Sequence, residues 1–215
     1  MKKEQLKKEL EKKHFRVSIF GSAREKSSED VYKEVYKLAK LLGEREIDLV
    51  TGGGPGLMEA AAKGHKDGRK NNHAHSIGLG IKLPREQKIN KYVDAAKEFH
   101  KFSSRLDDFM LLSNAVIVAP GGVGTLLEFL YTWQLVQVRQ VCNIPIILLG
   151  DMWPDLIKWL EKWSLKKKFI DKEDLNLLFL ARDYNEAIKM IDISHEMYKS
   201  GDKNYCLNYK KYKMF

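Results

Sequence analysis

Apolar residues along this chain fall into two alternating patterns. Short runs rich in Val and Ile are bounded by glycine or proline, and longer stretches repeat their apolar positions every three or four residues. The run at 16–20 (RVSIF) stops at Gly21 and reads as a buried strand. Over 28–43, Val31, Val35, Leu38 and Leu42 share one helical face, and Gly43 is a stop signal. A second strand, 47–51 (IDLVT), runs into three glycines. Pro55 suits the first turn of the next helix, which Ala60, Ala61 and Ala62 carry to about residue 66. A third strand is expected at 75–81. Residues 82–100 show no clear period beyond a short strand near 93–99. The remaining pattern predicts helices at 102–112, 125–139, 153–163 and 185–199, and strands at 115–119 (AVIVA), 144–149 (IPIILL) and 177–181.

Strands that are apolar throughout, alternating with helices, belong to a parallel sheet covered on both faces. The expected architecture is a single α/β domain, a doubly wound, Rossmann-like parallel sheet with helices on both sides. It spans 15–199, between a charged N-terminal extension at 1–14 and a basic tail at 200–215. A length of 215 residues suits one such domain, and no repeat or Pro/Gly-rich linker divides it.

Open parallel sheets bind ligands beyond the carboxyl ends of their strands. Three of these ends carry glycine-rich sequence: Gly21-Ser22, then Thr51-Gly52-Gly53-Gly54, then Pro120-Gly121-Gly122-Val123-Gly124-Thr125. Glycine lets successive N–H groups converge on an anion, and the positive end of the following helix adds to them. Together the loops suit one phosphate. The chain has no G-x-x-x-x-G-K-[ST] and no G-x-G-x-x-G at its first turn, so a monophosphate fits better than a triphosphate or a dinucleotide.

Glu128 stands three residues after Thr125. The spacing suits a capping box with Thr125 as N-cap, and equally a carboxylate at the mouth of the cleft. Arg105 on the preceding helix has Asp108 three residues on, the spacing of a surface ion pair. Its alternative role is to fix the base or to hold Glu128 ionised.

The segment Pro120–Glu128 fits the P-G-G-x-G-T-x-x-E motif of the LOG (Lonely Guy) proteins, and the chain resembles that family over roughly residues 15–190. Members are cytokinin riboside 5′-monophosphate phosphoribohydrolases, long mislabelled as lysine decarboxylases. The resemblance implies hydrolysis of an N-glycosidic bond to give free base and ribose 5-phosphate, without metal or organic cofactor. It makes Glu128 and Arg105 the catalytic pair. Gly21, Ser22, Thr51, Gly52, Gly53, Gly54, Gly121, Gly122, Gly124 and Thr125 become the substrate and phosphate contacts. Glu86, in a Leu-Pro-Arg-Glu stretch like the family's, is a further ligand contact. It also implies a homodimer, with Trp133 on the helix after the motif read as core or interface. Leu106 and Phe109 replace the Lys and Met that short members carry, which leaves any nucleoside 5′-monophosphate, cytokinin or ordinary purine or pyrimidine, open as substrate. The alternative reading is a non-catalytic nucleotide-binding or molybdenum-cofactor-carrier-like protein on the same fold. No lysine has a recognisable pyridoxal-phosphate setting, which argues against decarboxylation.

Composition changes this picture little. The formal charge of +9 invites a nucleic-acid reading, but residues 1–14 carry six Lys against three Glu, and 195–215 five Lys against two acids. Most of the excess is therefore terminal, and Lys outnumbers the Arg that base readout favours, so no specific nucleic acid is expected. No run of 18 apolar residues suggests a membrane span. Cys142 and Cys206 are too few for a disulfide framework or a cysteine zinc site. They read as free thiols, and a cytoplasmic location is expected. His73 and His75, two residues apart, read as a polar strand edge rather than a metal pair.

Overall fold

The computed structural model describes residues 14–71, 73–82 and 88–201. Its strands are β1 (Arg16–Phe20), β2 (Asp48–Thr51), β3 (Ser76–Ile81), β4 (Ala95–Phe99), β5 (Ala115–Val118), β6 (Ile146–Leu149) and β7 (Leu178–Ala181). They form one sheet in the order β4-β3-β2-β1-β5-β6-β7, with every neighbouring pair parallel. The chain walks outward from β1 to β4, returns to β5 beside β1, and walks out the other way. The connections after β1 and β5 thus leave in opposite directions, which opens a crevice at the carboxyl ends of those two strands.

Alternate residues of the central strands feed two cores. Val17, Ile19 and Ile117 pack under α1 (Asp30–Glu44), α2 (Leu57–Gly68) and α7 (Tyr184–Lys199), with Val35, Leu38, Ala61 and Ile188 among the buried partners. Phe20, Val116 and Val118 face the other way, toward α3 (Phe102–Leu112), α4 (Val123–Gln137) and α5 (Trp153–Leu160). The central strands β1, β2 and β5 are buried along their whole length, including the polar Arg16, Ser18, Asp48 and Thr51 among their apolar residues. The edge strand β4 reads AAKEF and is only partly buried. Its mixed composition explains why residues 82–100 show no clear period.

Helices α1 and α2 cross closely. A Cβ at Gly64 would overlap the carbonyl oxygen of Tyr36, so the crossing needs glycine at that point. His65 beside it is fully buried, and its Nε2 donates to the Ile47 carbonyl at 2.8 Å, tying α2 to the start of β2. Burial pushes the pKa of His65 from 6.5 down to about 4. Between those values the unfolded chain takes up a proton that the folded chain refuses. Stability present above pH 6.5 is therefore lost as pH falls toward 4, by about 3 kcal/mol. Urea titrations at stepped pH should show that slope in the native protein and lose it in His65→Gln.

Other elements depart from the expected bounds for local reasons. Helix α4 starts at Val123 rather than 125 because Gly122 is its N-cap. The helix expected at 153–163 ends at Leu160 and continues as a π-helical segment, Glu161–Leu165. A short helix α6 (Lys172–Leu175), closed by a capping box from Asp171 and Asp174, precedes β7. Cys142 is buried and disulfide-bonded, which overturns the free-thiol expectation there. The support that free thiols lent to the cytoplasmic expectation falls with it. Among the described residues no helix is long and apolar enough to cross a membrane.

Candidate active site

A cleft of about 740 Å³ opens at the crevice between β1 and β5. Three turns line it: Gly21 and Ser22 after β1, Gly52 and Gly54 after β2, and Pro120 through Thr125 after β5. The β1 turn ties the other two together. Ser22 donates its N–H to the Pro120 carbonyl at 3.0 Å and accepts the Leu57 N–H on its own carbonyl at 2.8 Å.

Helix α4 points its first turn into this cleft. Gly122 at the N-cap has no side chain to offer, and no side-chain cap is made. Leu126 N–H reaches the Gly122 carbonyl at 3.0 Å, but the N–H groups ahead of it lie before the first intrahelical bond. The helix dipole and these donors give the loop positive character without any lysine or arginine. Thr125 is buried in this first turn, its hydroxyl against Gly121, and is not the N-cap. The capping-box alternative for Thr125 and Glu128 is therefore not what the chain adopts.

Glu128 reaches Arg105 instead. Arg105 Nη1 donates to Glu128 Oε1 at 2.8 Å, and Arg105 Nε donates to the Leu79 carbonyl within β3 at 2.6 Å. Its second terminal nitrogen lies over Gly52, where a Cβ would overlap it, and its guanidinium sits on the Phe109 ring at 5.1 Å. Asp108 pairs with Lys97 at 2.6 Å, so the i, i+3 ion pair with Arg105 does not form. Burial pushes the Glu128 carboxyl above its ordinary range, while the charge and hydrogen bond of Arg105 pull it back. The result is one carboxylate, held by one fixed guanidinium, at the wall of a glycine-lined cleft.

Thr51 and Gly53 stand behind this wall rather than among the cleft-lining residues. Thr51 is buried and its hydroxyl accepts the Gly53 N–H at 3.1 Å, while the Gly53 carbonyl takes the Asn90 N–H at 2.8 Å. They shape the β2 turn. Glu86 lies outside the described residues. Several cleft residues were not singled out from the sequence, among them Met58, Ile81, Ile89 and Phe102, which add apolar surface to the lining. Met58 follows the glycine-rich turn directly and was within reach of inference. Ile89 lies inside the aperiodic stretch and Phe102 just past it, and they were not. Arg24, exposed at the rim, lies just past the Gly21-Ser22 turn, a position that marks it as cleft-facing.

The family described as possible lysine decarboxylase matches residues 58–191, more than half of the chain and all of the Pro120–Glu128 motif. A LOG-type cytokinin riboside 5′-monophosphate phosphoribohydrolase from Arabidopsis thaliana is 30% identical over 194 residues, covering 86% of this chain and 85% of that protein. The chain belongs to the LOG family. Within that family it is also 29% identical over 175 residues to a probable cytokinin riboside 5′-monophosphate phosphoribohydrolase of Oryza sativa subsp. japonica, covering 80% of this chain and 74% of the relative. A pyrimidine/purine nucleotide 5′-monophosphate nucleosidase of Escherichia coli K12 is 30% identical over 129 residues, 57% of this chain. This LOG-family chain spans only 28% of that longer enzyme. Among solved structures, the molybdenum cofactor binding protein of Rippkaea orientalis superposes with a TM-score of 0.64 at 23% identity, over 84% of this chain and 96% of that one.

Proposed function

We propose that this LOG-family protein hydrolyses the N-glycosidic bond of nucleoside 5′-monophosphates, with Glu128 and Arg105 as its catalytic pair. The observation that carries the reading is the Arg105–Glu128 pair at 2.8 Å, lining the same cleft as the uncapped N-terminus of α4. The names of the relatives support the reaction class. A carrier would need the anion site but has no use for a buried carboxylate beside it.

In this mechanism the 5′-phosphate sits on the backbone donors of Gly121, Gly122, Gly124 and Thr125, with Gly21, Ser22, Gly52 and Gly54 closing the cradle. Binding energy from that remote group holds the ribose against Glu128. As the bond from C1′ to the base nitrogen breaks, positive charge develops on the sugar, and the Glu128 carboxylate faces it. Water then adds at C1′ and gives its proton to Glu128, and that proton passes on through solvent to the departing base, which restores the carboxylate. The products are free base and ribose 5-phosphate. Arg105 keeps Glu128 ionised and aimed. Phe102, Met58, Ile81 and Ile89 offer the base an apolar, partly aromatic surface.

The test is base release from AMP, GMP, CMP, UMP and isopentenyl-AMP, with the matching nucleosides as controls. Release that requires the 5′-phosphate supports the reading and names the base preference. Tight monophosphate binding without release would instead assign the protein to the carriers.

We further propose a homodimer through the outer face of α4. Leu127 and Leu130 on this helix and Val138 at its C-cap are 43%, 46% and 51% exposed, an apolar stripe beside the cleft. Trp133 is not part of that stripe. It is buried, stacks on Phe129 and donates its indole N–H to the Asp174 carbonyl at 2.9 Å, so it belongs to the core of its own chain. Leu130→Glu is expected to yield a folded monomer, checked by sedimentation velocity and circular dichroism.

A further inference from the structure

His14, Asp48 and His75 are far apart in sequence, yet the parallel register gathers them at one place. Asp48 opens β2, His14 lies two residues ahead of β1, and His75 immediately ahead of β3. They therefore sit at the starting ends of three adjacent strands, on the edge of the sheet opposite the cleft. One imidazole nitrogen from each histidine and one oxygen of Asp48 all lie within 4.8 Å of one another. We propose that these three side chains form a binding site for one zinc-class divalent ion, with water completing the coordination.

The geometry is close to what such an ion needs. Tetrahedral zinc with bonds of ~2.0–2.1 Å sets its ligand atoms ~3.3 Å apart. His14 Nδ1 already stands 3.1 Å from Asp48 Oδ2, and a His75 nitrogen lies within 4.8 Å of the ligand atoms of both. The carboxylate is aimed beforehand. Asp48 is fully buried, and its Oδ1 accepts the backbone N–H of His75 at 2.9 Å, which leaves Oδ2 for His14. Two imidazoles with one carboxylate favour zinc and its neighbours over calcium or magnesium, which prefer all-oxygen sites. The His14 side chain is 34% exposed, giving the ion a route in and a side open to water.

Arg16 Nε lies 3.5 Å from the same Oδ2, so the ion shares that oxygen with a guanidinium. The site is accordingly weaker than a closed four-ligand one. His73 takes no part: it is exposed in the preceding turn, where its N–H donates to Asn71 Oδ1. Being remote from the cleft, the ion would act as a clamp on the starts of β1, β2 and β3 and raise thermal stability by binding only the folded chain.

The experiment uses the full chain without an affinity tag, stripped with chelator. Zinc is titrated by calorimetry and cobalt by its visible absorption, and melting temperature is followed with and without zinc. The expected result is one zinc per chain, a tetrahedral cobalt spectrum and a rise in melting temperature. His14→Ala and His75→Ala should each weaken zinc at least tenfold while keeping the native circular dichroism. His14 is the safer variant because its ring is partly exposed. Zinc binding equally well to the His14→Ala/His75→Ala chain, or no zinc bound by the native chain, would overturn the proposal.

Discussion

Replacing Glu128 with Gln is expected to slow release of free base from a nucleoside 5′-monophosphate by about 10²–10⁴-fold, the usual worth of a positioned acid–base group. Affinity for the monophosphate should change little. Gln keeps the volume of Glu and can still accept the Arg105 Nη1 hydrogen bond through its amide oxygen, so the cleft retains its shape. What it loses is the negative charge facing the sugar and the ability to take a proton from water. The split is measured by single-turnover base release alongside equilibrium binding of the same nucleotide. A loss in binding equal to the loss in rate would show that Glu128 holds the ligand and does no chemistry.

Arg105→Met should show its largest effect as a changed pH dependence. In the native protein burial already raises the Glu128 carboxyl, and only Arg105 opposes that rise. Without the guanidinium the carboxyl moves further up, so the acidic limb of kcat/KM shifts to higher pH. Activity on that limb falls because more of Glu128 is protonated at any given pH. Stability follows the same sign. A group whose folded pKa lies above its unfolded value favours folding at low pH and loses that contribution as pH rises through the folded pKa. The variant should therefore be nearest to native stability in acid. It should fall behind by about 3–5 kcal/mol, at most, where Glu128 would have to ionise unpaired. Urea denaturation in acidic and neutral buffer, together with the pH–rate profile, checks both halves. Arg105→Lys keeps a charge but loses the hold on Leu79, and is expected to restore the pH profile more than the rate.

Much of this was legible because central strands of a parallel sheet are apolar on both faces and end in glycine where a ligand site forms. RVSIF, IDLVT and AVIVA became β1, β2 and β5, and the glycine turns after them meet around one cleft. Residues whose partners are chosen by tertiary structure were harder to read. Spacing alone offered Asp108 to Arg105 and Thr125 to Glu128. The fold instead joined Arg105 to Glu128 across two helices, because a buried guanidinium and carboxylate need each other more than a surface neighbour. Trp133 was ambiguous for a similar reason. Helix α4 is apolar around most of its circumference, so periodicity could not say which face met the sheet and which stayed outside. Thr51 and Gly53 belong to the recognisable turn, but its curvature sends them behind the cleft. Nothing in the spacing of His14, Asp48 and His75 announced their meeting, which depends on the strand order β3-β2-β1.

The bare N-terminus of α4 has a kinetic consequence. If the ligand's phosphate completes that helix, then substrate and ribose 5-phosphate complete it equally, because hydrolysis leaves the phosphate untouched. The departing product keeps the strongest handhold while the base is free to go. Turnover is then governed by how fast the sugar phosphate lets go, the base leaves first, and accumulating ribose 5-phosphate throttles the enzyme as a competitor of its own substrate.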